Sequence, residues 1–250
     1  MRLTTQPSKD YGLDLMIMHQ ALASGKNLSF SKFCDGEWAV IKNQRINNSE
    51  FWFDPENPED ANKREGLIEA FQFQRENYYV GIACPSVFGN EMHTEMKELS
   101  RQPPHRLTWA DIWVNSNYQY YLDNIIPLFK NSNTVLFCNS LSKINNLPFL
   151  PRKVFKVSYN AWAYDWGVIE ESKKYISNNN VEDYTFLFCC GPFGNILCHQ
   201  LTEFNSNNTY LDIGSTLNPF LQSEGFKRDY YLRDTYFSRH RGTWGQDSEV

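Results

Sequence analysis

Leu28-Ser29-Phe30-Ser31-Lys32-Phe33 runs directly into Cys34-Asp35-Gly36-Glu37-Trp38. The first six residues have the length and apolar character of a strand buried on both faces. A D-x-E pair with glycine at its centre comes next. That order predicts a buried strand stopping at a loop, with Asp35 and Glu37 projecting where the strand ends. In open α/β sheets, ligands bind outside the carboxyl ends of the strands. Two carboxylates this close repel each other unless a positive charge lies between them. A hard divalent cation meets that need, keeping several waters and taking its other ligands from substrate phosphates. The pattern points to a metal-assisted diphosphate site. Asp-Gly is equally a turn signal, so the remainder of the chain has to decide between the two readings.

Outward from this stretch, strands alternate with helices. Apolar runs at Tyr78–Cys84, Thr134–Asn139, Val154–Ser158, Tyr184–Cys190 and Thr209–Ile213 read as further strands, the first ending at Pro85-Ser86. Helices are predicted over Tyr11–Ala23 (Leu13, Ile17 and Ala21 on one face), Glu37–Lys42, Pro58–Glu76, Glu91–Gln102, Asn117–Lys130, Ala161–Ser177 and Asn195–Phe204. Leu107–Val114 fits a strand or a helix. Phe51, Trp52 and Phe53 interrupt a polar, turn-rich segment, which reads as a loop pinned to the core by its rings. Such alternation predicts an α/β, Rossmann-like fold, a mostly parallel sheet with helices on both faces. One domain over residues 1–250 is expected, with a basic, aromatic tail from residue 227.

Composition narrows the function classes. In 250 residues, 41% are hydrophobic and 21% charged, an ordinary globular mixture. Aromatic residues reach 16%, which suits a rigid core and ring-lined surfaces of the kind that hold sugars or bases. The net charge of −5 supplies no general basic field, which argues against a nucleic-acid partner. The first residues lack the apolar core of a signal peptide, and no uncharged apolar run approaches the ~20 residues of a membrane span. The six cysteines show no C-x-x-C spacing and sit in apolar runs, as buried reduced thiols do. A cytoplasmic protein is expected.

Other segments carry chemistry. Gly191-Pro192-Phe193-Gly194 lies between a strand and a helix, a layout whose free N–H groups favour phosphate. Steric need in a tight strand-to-helix turn explains the same glycines. Leu211-Asp212-Ile213-Gly214 is like the first motif of S-adenosylmethionine-dependent methyltransferases, though no G-x-G follows and little chain remains after it. In Asn160-Ala161-Trp162-Ala163-Tyr164-Asp165-Trp166, a carboxylate among rings suits a sugar subsite, with Asp165 as the candidate base. Trp162 and Trp166, four apart, equally form the buried face of a helix. Between Lys227 and Arg241, basic and aromatic residues alternate, as in a cationic lid or a solvated terminal helix.

Together these segments resemble the GT-D glycosyltransferases. Lys32-Phe33-Cys34-Asp35-Gly36-Glu37 looks like that family's basic-aromatic-Gly-Asp-Gly-Glu signature, Ser158-Tyr159-Asn160-Ala161 like its Asn-Ala segment, and Leu187 to Gly214 like its closing strand–Gly-Pro–helix–strand–Asp-Ile-Gly unit. The likeness spans roughly residues 28–220. It implies a metal-dependent transferase moving a sugar from a nucleoside-diphosphate donor, most often a UDP-sugar, to a hydroxyl of a glycan or glycoprotein acceptor. It implies Mn²⁺ or Mg²⁺ held by Asp35 and Glu37. Lys32, Gly36, Pro85, Asn160, Gly191, Pro192, Phe193, Gly194, Asp212 and Ser215 are the residues expected about the nucleotide sugar. Cys34 stands where that family usually has glycine, Lys32 where arginine is commoner, and Ser215 where a histidine is expected. A methyltransferase and a non-catalytic carbohydrate-binding module are the alternatives.

Overall fold

In the computed structural model, which describes residues 11–47 and 51–221, Ser29–Lys32 forms the strand β1 inside a seven-stranded sheet. Ile46–Asn47 (β2) and Trp52–Phe53 (β3) make a separate antiparallel pair. The remaining strands are β4 (Tyr78–Ile82), β5 (Leu107–Trp109), β6 (Thr134–Asn139), β7 (Lys153–Val157), β8 (Thr185–Cys189) and β9 (Thr209–Asp212). Their spatial order is β5-β4-β1-β9-β8-β6-β7, and every pairing is parallel. All seven carboxyl ends therefore lie along one edge. The α/β, Rossmann-like expectation holds.

A parallel sheet needs cover on both faces, and the strands are written for it. In β8, Phe186 and Phe188 join one apolar cluster while Leu187 joins the other. Val135 and Phe137 of β6 divide from Leu136 and Cys138 in the same way. The first cluster is closed by α2 (Asp35–Ile41), α3 (Pro58–Gln72), α8 (Ala161–Tyr164), α9 (Gly167–Asn178) and α10 (Pro192–Phe204). The second is closed by α1 (Tyr11–Ala23), by the helical segment from Tyr118 to Asn131 and by α11 (Asn218–Leu221). Helix starts follow local chemistry. Asn57 caps α3 by accepting the Glu59 N–H at 2.9 Å, with Pro58 at the first helical position.

Several local expectations change. The helix predicted over Asn117–Lys130 contains a π turn at Tyr121–Ile125, which ends two residues before Pro127, whose missing N–H cannot serve the α-helical ladder. Leu107–Val114 is neither all strand nor all helix. β5 ends at Trp109, and the chain then turns back until Trp113 packs edge-on against Phe30 of β1 at 5.5 Å. Phe51 and Phe53 are buried, so the aromatic loop is pinned as expected. None of the six cysteines is in a disulfide, and four of them are buried. Among the described residues, no helix is long and apolar enough to cross a membrane. The basic tail from Lys227 to Arg241 lies outside the described residues.

Candidate functional site

A cleft of about 540 Å³ runs along the carboxyl edge of the sheet, lined by residues that end β1, β5, β6, β7, β8 and β9. Its place follows from topology. From β1 the chain winds outward through β4 to β5, while the far half of the sheet is filled from β6 and returns to β1 through β8 and β9. Crossovers diverging from one point leave a crevice at the strand ends.

The D-x-E pair opens into this cleft, but not from a loop. Asp35 is the first and Glu37 the third residue of α2, with Cys34 as N-cap. Both carboxylates sit in the first turn, where the helix dipole favours negative charge. Asp35 is exposed and Glu37 buried. Glu37 Oε2 accepts the Cys34 N–H at 2.9 Å, closing the helix start and leaving Oε1 for another partner. Gly36 lies beneath Phe51, whose ring would be 3.3 Å from any Cβ placed there.

Lys32 ends β1 and lies along Gly214, its Nζ 3.9 Å from where a Cβ on that residue would be. Gly214 has φ +53°, which suits glycine and leaves this path open. Burial alone would lower the Lys32 pKa. Glu37, Cys34, Asp212 and Asp111 outweigh it, so the ammonium is held well above its ordinary value. Burial pushes Asp111 up to about 6 against the pull of Lys32, with Asp35 and Glu37 adding to the rise. It pushes Asp212 up to about 7, opposed by Lys32 and by the backbone N–H groups of Gly214 and Lys32, and assisted by Glu37. One ammonium thus faces three carboxylates and a thiol.

The Gly191 turn borders the same cleft. Gly191 has φ +59° and ψ −148°, a region almost reserved for glycine, and nothing lies within 4 Å of its Cβ position. Pro192 has no N–H, and the Gly194 N–H is donated to the Gly191 carbonyl at 2.8 Å. The N–H groups of Gly191 and Phe193 are the donors this turn can offer. Asn195, one turn into α10, is fully buried and donates to Ser31 Oγ at 3.1 Å and to the Lys32 carbonyl at 2.6 Å. It ties the Gly191 turn to the end of β1.

Of the residues expected from sequence, Lys32, Asp35, Gly36, Glu37, Gly191, Pro192 and Ser215 line the cleft. The others do not. Pro85 starts the short helix α4 (Pro85–Phe88) away from the cleft, because the segment after β5 returns across the end of β4. Phe193 is core, packed on Trp166 at 5.9 Å. Gly194 packs against Phe188 and Asp212. Asp212 is 3% exposed, and its Oδ1 accepts the Gly214 N–H at 3.1 Å. That carboxylate is turned inward, and Asp212 is not among the residues lining the cleft. Asn160 caps α8 through the Ala163 N–H at 3.2 Å, while its buried Nδ2 has no partner among the described residues. Asp165 accepts from both the N–H and the hydroxyl of Ser158, so it fastens the loop after β7 and stands outside the cleft. Trp162 is buried with one edge on the cleft, and Trp166 donates its Nε1–H to the Trp162 carbonyl at 2.7 Å. Asp111 and Asn195 were missed. Asp111 is a strand-end carboxylate like Asp35, legible once Leu107–Trp109 is read as a strand.

The donor set suits a hard cation. Asp35, Glu37 and Asp111 offer only oxygen, and the cluster holds more negative charge than Lys32 balances. Among the described residues, no three His, Cys, Asp or Glu side chains converge tightly enough to hold a metal unaided. The fit is therefore to a cation shared between one or two carboxylates and a substrate's phosphates, the usual Mg²⁺ arrangement.

No protein-family model matches the chain, and no curated protein matches it by sequence. Two solved structures match by fold. One is a selenomethionine-substituted structure of domain of unknown function 1792, with a TM-score of 0.58. The other is of the same domain, reported to have a distinct glycosyltransferase fold, with a TM-score of 0.56. Each is 14% identical over 86% of this chain and 80% of its own. The chain has the fold of that domain.

Proposed function

We propose that this protein is a metal-dependent glycosyltransferase, moving a sugar from a nucleoside diphosphate, UDP above all, to a hydroxyl of a glycan acceptor. One observation carries the reading. The acidic first turn of α2, the Lys32 ammonium and the Gly191 turn share a single cleft at the sheet's switch point. Lys32 lines the cleft where charge would build on the departing diphosphate, and the Gly191 N–H can donate to the same oxygens. A Mn²⁺ or Mg²⁺ held through Asp35 and Glu37 supplies further neutralisation of that diphosphate when bound. The acceptor oxygen bonds to the anomeric carbon as the bond to the diphosphate oxygen breaks, and the acceptor's proton needs a base. Asp111, which faces the cleft, takes that role in place of Asp165, whose carboxylate is engaged by Ser158.

The test is thermal shift and donor hydrolysis with UDP-, GDP- and TDP-sugars, with and without Mn²⁺. UDP with Mn²⁺ is expected to raise the melting temperature, and Asp35→Asn to abolish both the shift and hydrolysis. A shift with S-adenosylmethionine instead would favour a methyltransferase. Glycan binding indifferent to UDP and Mn²⁺ would favour a binding module.

A further inference from the structure

Outside the cleft, the feature that asks for a partner is a pair of large rings turned to solvent. Trp52 is 37% exposed and Tyr164 69%, and they meet edge to face with centroids 5.9 Å apart. Their chain neighbours point inward. Phe51 and Phe53 flank Trp52, Trp162 lies two residues before Tyr164, and Phe53 and Trp162 meet edge to face at 6.4 Å. A buried ring pair thus underlies an exposed one.

Both exposed rings are held from one helix. Asp60 of α3 accepts the Asp54 N–H at 2.9 Å, just after β3, and Arg45 pairs with Asp54 and Glu56 across the hairpin. Lys63, one turn along α3, donates to the Ala163 carbonyl at 3.2 Å, just before Tyr164. Rings so fixed lose little freedom when something lies on them.

We infer that Trp52 and Tyr164 form a stacking platform for a pyranose ring of the glycan acceptor, beside the cleft. This rests on the transferase reading, and the chemistry selects the occupant. Two rings offer far less area than the roughly 800 Å² per partner that a stable protein interface buries. A pyranose presents an apolar C–H face to a π system and hydroxyls at its rim, where the Trp52 Nε1–H and Tyr164 hydroxyl can reach. The platform is continuous with the cleft, since Phe51, Tyr159 and Trp162 line the cleft itself. A sugar stacked here would adjoin the cleft that Asp111 and the Gly191 turn also line.

The test uses lactose, cellobiose, maltose and N,N′-diacetylchitobiose as probes, read by saturation-transfer NMR and calorimetry, with UDP plus Mn²⁺ titrated in parallel. At least one disaccharide is expected to bind. Trp52→Ala and Tyr164→Ala should each weaken it about tenfold, the scale of one aromatic contact, while Trp52→Phe keeps most of the affinity. UDP affinity should not change with either alanine variant. The platform is refuted if none of the four sugars binds, if binding survives the double alanine variant, or if Trp52→Ala merely dissolves a dimer. In those cases intact UDP binding would leave the transferase reading standing. Loss of UDP binding by the wild-type protein would remove that reading separately.

Discussion

Gly191→Ala is the substitution whose cost the structure defines most sharply. At φ +59° and ψ −148° an L-residue is strained, by about 1–3 kcal/mol for this region. No atom lies within 4 Å of the added methyl, so steric overlap contributes nothing and the whole cost is conformational. Gly167→Ala is the matched control. Gly167 is the first residue of α9, has no positive φ and likewise meets nothing within 4 Å. There alanine should stabilise by about 0.4–1 kcal/mol through the unfolded chain. Urea unfolding of both variants should move the midpoints in opposite directions at an unchanged slope. In thermal melts the shift is roughly 2–4 °C for each kcal/mol in a chain of this size. Relaxation of the strained turn also displaces the Gly191 N–H, so UDP affinity should fall in Gly191→Ala alone. Equal stability of the two variants would refute the conformational argument.

Three further substitutions separate roles that lie close together. Glu37→Ala orphans the Cys34 N–H and should cost about 1–3 kcal/mol, whereas Glu37→Gln keeps an acceptor and should lose Mn²⁺–UDP affinity with little loss of stability; urea melts beside calorimetry read both. Burial raises Asp212 from 3.8 to about 7, so the native state holds this proton more tightly than the unfolded chain does. In EDTA, stability should therefore fall as pH rises from 5 to 8, by about 1.4 kcal/mol per pH unit while pH lies between the two values. Asp111, which burial raises to about 6, adds to the fall below that pH, so Asp212→Asn should lessen the slope, and an unchanged slope in the variant would refute the assignment. Asp165→Ala should lower stability by about 1–3 kcal/mol through the Ser158 donors, while Asp165→Asn keeps transfer and Asp111→Asn loses it. Single-turnover rates at matched folded fraction distinguish the two aspartates.

Much of the architecture is written in local pattern. Near-continuous apolar runs such as Thr134–Asn139 and Tyr184–Cys190 can satisfy two helix layers only as parallel strands, so the fold class is legible without coordinates. The acidic pair after β1 and the glycines after β8 are legible for the same reason, because strand ends and tight turns need particular residue types. In sequence, a carboxylate among rings looks the same in a sugar site and in a loop fastened to its neighbours; in the fold, Asp165 is fastened to Ser158 outside the cleft lining. Sequence starts the helix at Glu37 itself, whereas the fold starts it at Asp35 and makes Glu37, three residues after the N-cap, a capping residue as well as a candidate ligand.

By itself the sequence determined that this chain folds as a two-faced parallel sheet and that acidic and glycine-rich turns end its strands, because period and turn chemistry act over a few residues. Tertiary structure alone decided which turns share a cleft. The order β5-β4-β1-β9-β8-β6-β7 brings residues as distant as Lys32, Asp111, Gly191 and Gly214 to one edge and leaves Pro85 out of the cleft lining. Whether a carboxylate meets water, a backbone N–H or an ammonium depends on that arrangement, since burial and pairing are set by neighbours far away in the chain.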